Sequence, residues 1–468
     1  MYSFLKDDYS FLSLKRIVAV IILFLFVIVN SLCMYLIFLI LSLGVLLFVE
    51  YYFLFKNEIA TPAISFTLGL FICAIILSTF IDLWDVHLHQ ETYWLIIGGS
   101  ICVALGSLGG DILSKKKKEE NRGGQFIPIS VRRLKFILFI QIFAAVIQVL
   151  FLFKYYGGRS LAENLVAHTM AIKFGDDSMV IPFKLGFILG LSYNLGFMFA
   201  FLLPLYMTKG YEYSRERFWL SVNFVLCLFF SLLTSGRSPM LWMLITFGTF
   251  YFIHLNLNKM RLNLKRLLLW GICGYIFLMS FQQLGFLIGR EKTAETATYV
   301  IGVYCGAEIQ NLDDYIRGPI EKMDYWGEMT FYQFLSTLEK DWGVVHLRTD
   351  REKLLPFNYR GGYGLGNVAT AFQAYYVDFR FKGTMIVCFV IGLIMQLLYK
   401  RVKMGNSIKN GVMNWTSYLY SLILPSMFMS FFAESFYIVL MNILGFRFWI
   451  GYILLFLLFY GKFPWKKN

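Results

Sequence analysis

The sequence predicts an all-α polytopic membrane protein, and three observations carry that prediction. Of its 468 residues, 58% are hydrophobic and only 15% are charged, where a soluble domain carries roughly 25% charged residues. Apolar runs long enough to cross a bilayer as a helix recur along the chain. Lys and Arg gather in short clusters between those runs, as they do in the cytoplasmic loops of membrane proteins. A transmembrane β-barrel would instead show short segments of alternating polarity.

Residues 17–55 form one apolar run, too long for one span and right for two joined near Asn30 and Ser31. The flanking Lys15, Arg16 and Lys56 then both face the cytoplasm. A third span is expected over residues 60–81. Residues 82–93 contain no Lys or Arg and belong outside. The fourth span, 94–113, leads into Lys115-Lys-Lys-Lys118, the strongest cytoplasmic anchor. Spans five to nine follow at 136–153, 181–207, 218–233, 240–255 and 267–288. Spans ten to twelve occupy 383–399, 412–432 and 436–460. The total is about twelve helices by the length criterion, with both termini cytoplasmic. Met1–Arg16 is polar and lacks a cleavage site before the first apolar run, so it reads as an uncleaved end.

Three regions result: spans one to nine in residues 1–288, a large loop in 289–382, and spans ten to twelve with a tail in 383–468. The loop holds more Asp and Glu than Lys and Arg and falls outside, making it extracytoplasmic. No solenoid period or inverted repeat is visible.

The formal charge of +14 is explained by the cytoplasmic clusters and comes with no nucleic-acid motif. Seven cysteines lack C-x-x-C spacing, and only Cys305 lies in the large loop, which argues against a disulfide framework or a zinc site. His87 and His89 have no third ligand nearby in sequence, so no metal is expected there.

Candidate residues fall into three groups. Arg237 sits in Thr234-Ser-Gly-Arg-Ser-Pro239 at the outer end of a hairpin, and Arg290 opens the large loop. Both suit an anion such as pyrophosphate, or an interfacial anchoring role. Arg447 falls within span twelve, where a cation needs a partner or a wet cavity. In the loop, Asp313, Asp314, Arg317, His346 and Arg360 offer acids, bases and anion ligands, with Glu434 at a nearby outer turn. His346, the loop's one histidine, can act as a base near neutral pH. Loop aromatics such as Tyr304 suit sugar stacking or an interfacial belt. Gly361-Gly-Tyr-Gly-Leu-Gly366 lacks the βαβ setting of a dinucleotide site and reads as a backbone-exposing turn.

The segment around Arg237, with Met240, Leu241, Trp242 and Met243 after it, resembles the glycine–arginine signature of bacterial oligosaccharide repeat-unit polymerases, the O-antigen (Wzy-type) family. Residues 366–383 are similar to the stretch closing that family's large outer loop, where Asp-Phe-Gly is common. Here Asp378 and Phe379 are followed by Arg380. The resemblance covers roughly residues 191–459. It implies a GT-C-like fold and a metal-independent, cofactor-free inverting glycosyltransferase in the bacterial cytoplasmic membrane. It implies polyprenyl (undecaprenyl) pyrophosphate-linked oligosaccharides as substrates, joined on the outer face into O-antigen, capsule or exopolysaccharide. Membrane lipid, a chain-length regulator and a flippase are the implied partners. On that reading Arg237, Arg290 and Arg447 meet the pyrophosphate. Arg317, Arg360 and Tyr304 contact pyrophosphate or glycan. One of His346, Asp313, Asp314 or Glu434 is the base. An O-antigen-ligase-like transferase and a non-enzymatic flippase or transporter are the alternatives.

Overall fold

A computed structural model describes residues 35–114, 126–174, 183–209, 211–233, 238–258, 297–320, 323–347, 357–443 and 446–461. Spans one and nine, the Lys115–Lys118 cluster, Arg237 and Arg290 lie outside the described residues. In chain order the helices are α1 (Tyr35–Val49, continued by a π-helical turn Glu50–Leu54), α2 (Pro62–Ser78), α3 (Gln90–Ser114), α4 (Val131–Tyr156), α5 (Leu161–Phe174), α6 (Phe183–Thr208), α7 (Ser214–Leu232), α8 (Ser238–Leu257), α9 (Ala297–Cys305), α10 (Ala307–Arg317) and α11 (Tyr332–Trp342). A hairpin of β1 (Asn358–Arg360) and β2 (Tyr363–Gly366) follows. Then come α12 (Phe372–Met404), α13 (Asn406–Asn410), α14 (Trp415–Phe428), α15 (Phe436–Ile443) and α16 (Phe446–Tyr460).

Among the described residues, six helices are long and apolar enough to cross a membrane: Tyr35–Leu54, Gln90–Ser114, Val131–Tyr156, Gly190–Thr208, Ser238–Leu257 and Phe372–Met404. The protein is thus an all-α membrane protein at this level. Two details depart from the sequence expectation. The helix expected at 383–399 begins at Phe372, so the end of the presumed loop is already helical. The span expected at 436–460 is two helices, α15 and α16.

The chain divides into two compact units. The first comprises Met1–Lys118, Ile301–Arg401 and Ser426–Asn442. Its α3 and α12 cross at very close range. A Cβ added at Gly106 would lie 2.0 Å from the Phe389 carbonyl oxygen, and one at Gly392 would lie 2.2 Å from that of Val103. Only glycine admits that approach, a device common where helices pack without a hydrophobic driving force. Glycines at 99, 106 and 110 fall on one side of α3 at helical spacing. One end of the unit gathers Glu58, Asp111, Tyr399 and Lys400: Tyr399 Oη donates to Glu58 at 3.0 Å, and Lys400 pairs with Asp111. Residues 85–92, α10 and the hairpin meet elsewhere in the unit.

The second unit comprises Glu119–Val300, Val402–Pro425 and Ile443–Asn468. Buried amides tie its helices. Gln141 Nε2 donates to Asn223 Oδ1 at 2.7 Å, and Asn223 Nδ2 donates to the Leu134 carbonyl at 3.2 Å. Side-chain bonds of this kind supply specificity where surrounding surfaces are uniformly apolar. Trp415 stacks on Trp449 at 3.6 Å, and Arg133 donates to the Phe459 carbonyl at 3.0 Å.

Candidate functional site

The site is built on α10, a short amphipathic helix. Ile309, Leu312 and Ile316 recur at i, i+3 and i+7 and are buried, which fixes the helix against its neighbours. That registration aims the polar residues between them in set directions. Asn311 Nδ2 donates to the carbonyls of Leu365 and Val368 at 3.0 and 2.8 Å. Asp314 turns to the hairpin: Arg360 donates from Nε at 3.0 Å and from Nη2 at 2.8 Å, and Asn358 Nδ2 donates at 2.8 Å. Arg360 Nη1 also bonds the carbonyl of Asp85. One guanidinium therefore joins the hairpin, α10 and the segment leading into α3. A planar fork against a carboxylate is the arrangement for which Arg is suited.

Asp313 turns to the N-terminus of α3 and is fully buried. Its carboxylate accepts the backbone N–H of His89 at 2.8 Å, the His89 ring at Nδ1 at 2.9 Å and the Thr92 hydroxyl at 2.7 Å. Three donors and the positive end of α3 offset the cost of removing this charge from water. The His89 side chain itself is 46% exposed.

That exposed face borders a cleft of about 520 Å³, lined by His89, Gln90, Glu91, Thr92, Trp94, Ile316, Arg317 and Phe381. Its chemistry is mixed: an imidazole, a carboxylate, a guanidinium and two aromatic side chains. Glu91 accepts a hydrogen bond from the Tyr376 hydroxyl, and the Arg380 guanidinium lies 5.9 Å from the Tyr376 ring centre. Arg317, exposed at the C-terminus of α10, has no ion-pair partner among the described residues. Such a set can hold a sugar ring on an aromatic face, fix its hydroxyls, and meet an anionic group.

Next to the cleft, α12 contains a break. Arg380 has φ 55° and ψ −170°, a region essentially reserved for glycine. Arg380 thus takes up a glycine-like backbone. Asp378, two residues earlier, accepts the backbone N–H groups of Met329 and Thr330 at 3.2 and 2.7 Å, pinning the loop before α11.

Deeper in the same unit, Glu308 is buried and lies 3.8 Å from the Cys73 thiol, which donates to it. Burial pushes its carboxyl well above the usual range.

The residues singled out in the sequence therefore separate. Asp313, Asp314, Arg317 and Arg360 come together around α10. Arg317 faces the cleft, while Arg360 and Asp314 are paired with each other. His346 is exposed, is not among the cleft-lining residues, and donates its backbone N–H to the Tyr325 hydroxyl at 3.2 Å. Glu434 is buried and accepts the Tyr437 N–H at 2.7 Å, capping α15. Tyr304 stacks on Phe432 at 6.5 Å. Arg447 belongs to α16, and of it only the backbone is described. His89, considered in the sequence only as a metal ligand, is the residue that reasoning missed. Its signal was present: a His one residue before a helix start, in a segment free of Lys and Arg.

No family model, curated protein or solved structure matches this chain.

Proposed function

We propose that the protein polymerises polyprenyl-pyrophosphate-linked oligosaccharide repeat units on the outer face of the bacterial cytoplasmic membrane. It does so as a metal-independent inverting glycosyltransferase of about twelve spans with a GT-C-like architecture. The observation that carries the reading is the cleft: a guanidinium, a carboxylate, an imidazole and aromatic walls, set at the start of a membrane-length helix. A lipid-linked glycan needs that combination, because its anionic headgroup sits at the membrane surface and its sugars extend from it.

The contacts within the first unit support the orientation. His89 and Asp313 belong to segments 82–93 and 289–382, which the charge bias assigns to one side. Glu58 and Lys400 come from segments it assigns to the other side: Glu58 accepts from Tyr399, the residue before Lys400, and Lys400 pairs with Asp111 near the end of span four that the same bias turns inward. Arg317 meets the departing pyrophosphate, whose charge grows as the glycosidic bond breaks. Donors on the outside must be lipid-linked, since nucleotide sugars are cytoplasmic.

Deletion of the gene followed by gel separation of surface glycan tests the reading. Collapse of a long ladder to single repeat units is expected. Polymer retained at full length on its lipid carrier would indicate a ligase instead. Blocked export of lipid-linked units would indicate a transporter. Either result overturns the polymerase reading.

A further inference from the structure

Resting on that reading, we propose that His89 is the general base of the transfer and Asp313 its positioning carboxylate. The argument begins with the hydrogen bond between them. Asp313 already accepts from the His89 backbone N–H and the Thr92 hydroxyl, and an ionised carboxylate can only accept, so the ring nitrogen it meets, Nδ1 at 2.9 Å, is assigned the proton. The neutral ring then has its lone pair on Nε2. Among the described residues Nε2 of His89 has no hydrogen-bond partner, and the ring borders the cleft.

This is the arrangement by which a carboxylate fixes the tautomer of a catalytic imidazole and stabilises the imidazolium formed when it takes a proton. Asp313 itself is fully buried and its oxygens are occupied. It cannot reach an acceptor hydroxyl and acts only through His89. His346 has no comparable carboxylate partner among the described residues and does not line the cleft.

The step balances without a metal or redox partner. The hydroxyl at the non-reducing end of the incoming repeat unit loses its proton to Nε2 of His89. Its oxygen forms the new bond to the anomeric carbon of the growing chain. The bond from that carbon to the pyrophosphate oxygen breaks, and its electron pair leaves with polyprenyl pyrophosphate. Arg317, on the same cleft, faces the charge that develops there. His89 returns its proton to water.

The test uses the full-length protein in the deletion strain. His89→Asn keeps an N–H donor near the position of Nδ1, so the bond to Asp313 and the fold are preserved while Nε2 is lost. Expected is a loss of elongated polymer of at least about 100-fold, the low end of general-base contributions, with membrane abundance unchanged on immunoblot. His89→Ala opens space beside Asp313, and imidazole added to the medium restores part of the ladder. Asp313→Asn lowers elongation, and wild-type length returns with Asp313→Glu more than with Asp313→Ala. A wild-type ladder from His89→Asn overturns the assignment. So does a His89→Ala protein that is abundant, inactive and unresponsive to imidazole. If deletion of the gene leaves the ladder intact, the polymerase reading fails instead, and the two failures are distinguishable.

Discussion

Replacing Arg360 with Met should loosen the hairpin from α10 by a calculable amount. Arg360 gives Asp314 two charge-assisted bonds, at 3.0 and 2.8 Å, and gives the Asp85 carbonyl a third. The two side chains are only 18% and 21% exposed, so solvent does not replace them freely. Breaking a buried pair costs about 3–5 kcal/mol. Asp314, however, keeps two other donors, Gln310 Nε2 at 3.0 Å and Asn358 Nδ2 at 2.8 Å, so the remaining carboxylate is not stripped bare. That places the loss at about 2–3 kcal/mol, or roughly 30- to 150-fold in the opening equilibrium. Hydrogen exchange on the detergent-solubilised protein reads it directly. Amides of residues 358–366 should exchange faster by that factor in Arg360→Met, while those of α3 beyond its first turn are unchanged. Arg360→Lys retains the charge but not the fork and should fall between. Hairpin exchange within about threefold of wild type in Arg360→Met would show that the guanidinium is not the clamp, since about 2 kcal/mol must appear there.

Three further outcomes follow from other positions. Arg380→Gly should raise the melting temperature in detergent: relief of a glycine-only backbone conformation is worth about 1–3 kcal/mol, against about 0.5–1 kcal/mol for glycine's extra freedom when unfolded. A lower melting temperature would mean that the Tyr376 contact outweighs the strain. Gly106→Ala should destabilise by about 1–3 kcal/mol through overpacking, whereas Gly109→Ala, whose Cβ meets Leu393 at 3.5 Å and Phe389 at 3.9 Å, both ordinary side-chain contacts, should be tolerated. Equal melting temperatures for the two would refute the close crossing. For Glu308 the sign is set by its raised pKa. The folded protein holds a proton that the unfolded chain releases above its ordinary value of 4.5, so stability falls as pH rises from there toward the folded value. Glu308→Gln should flatten that slope, and an unchanged slope in pH-dependent melting would refute the assignment.

The apolar helices were legible because their signal is local. A run of apolar residues between basic clusters specifies a span without reference to the rest of the chain. The cleft was not legible, because it depends on which loops meet. Asp313 was visible as an acid in the large loop, but its role required knowing that α10 lies against the start of α3. His89 lacks a third metal ligand nearby in sequence, and its partner is a single carboxylate 224 positions away. Arg360 looked like an anion ligand until the hairpin placed it on Asp314. The break at Arg380 was marked by sequence alone, as an arginine where the resembling family favours glycine, but its backbone angles were not.

The separation of 224 positions between His89 and Asp313 has a consequence for the order of events during synthesis. At roughly 5–20 residues per second, a ribosome needs roughly 10–45 s to travel from one to the other. During that interval the segment carrying His89 has been made and its carboxylate partner has not. A half-translated chain therefore lacks the pairing, and a product truncated before α10 lacks it permanently. Co-expression of two fragments divided between α8 and α9 would regain it only if the second fragment docks on the first. The pairing is in this sense a completeness check: it forms only after the later half of the chain has been made and has docked.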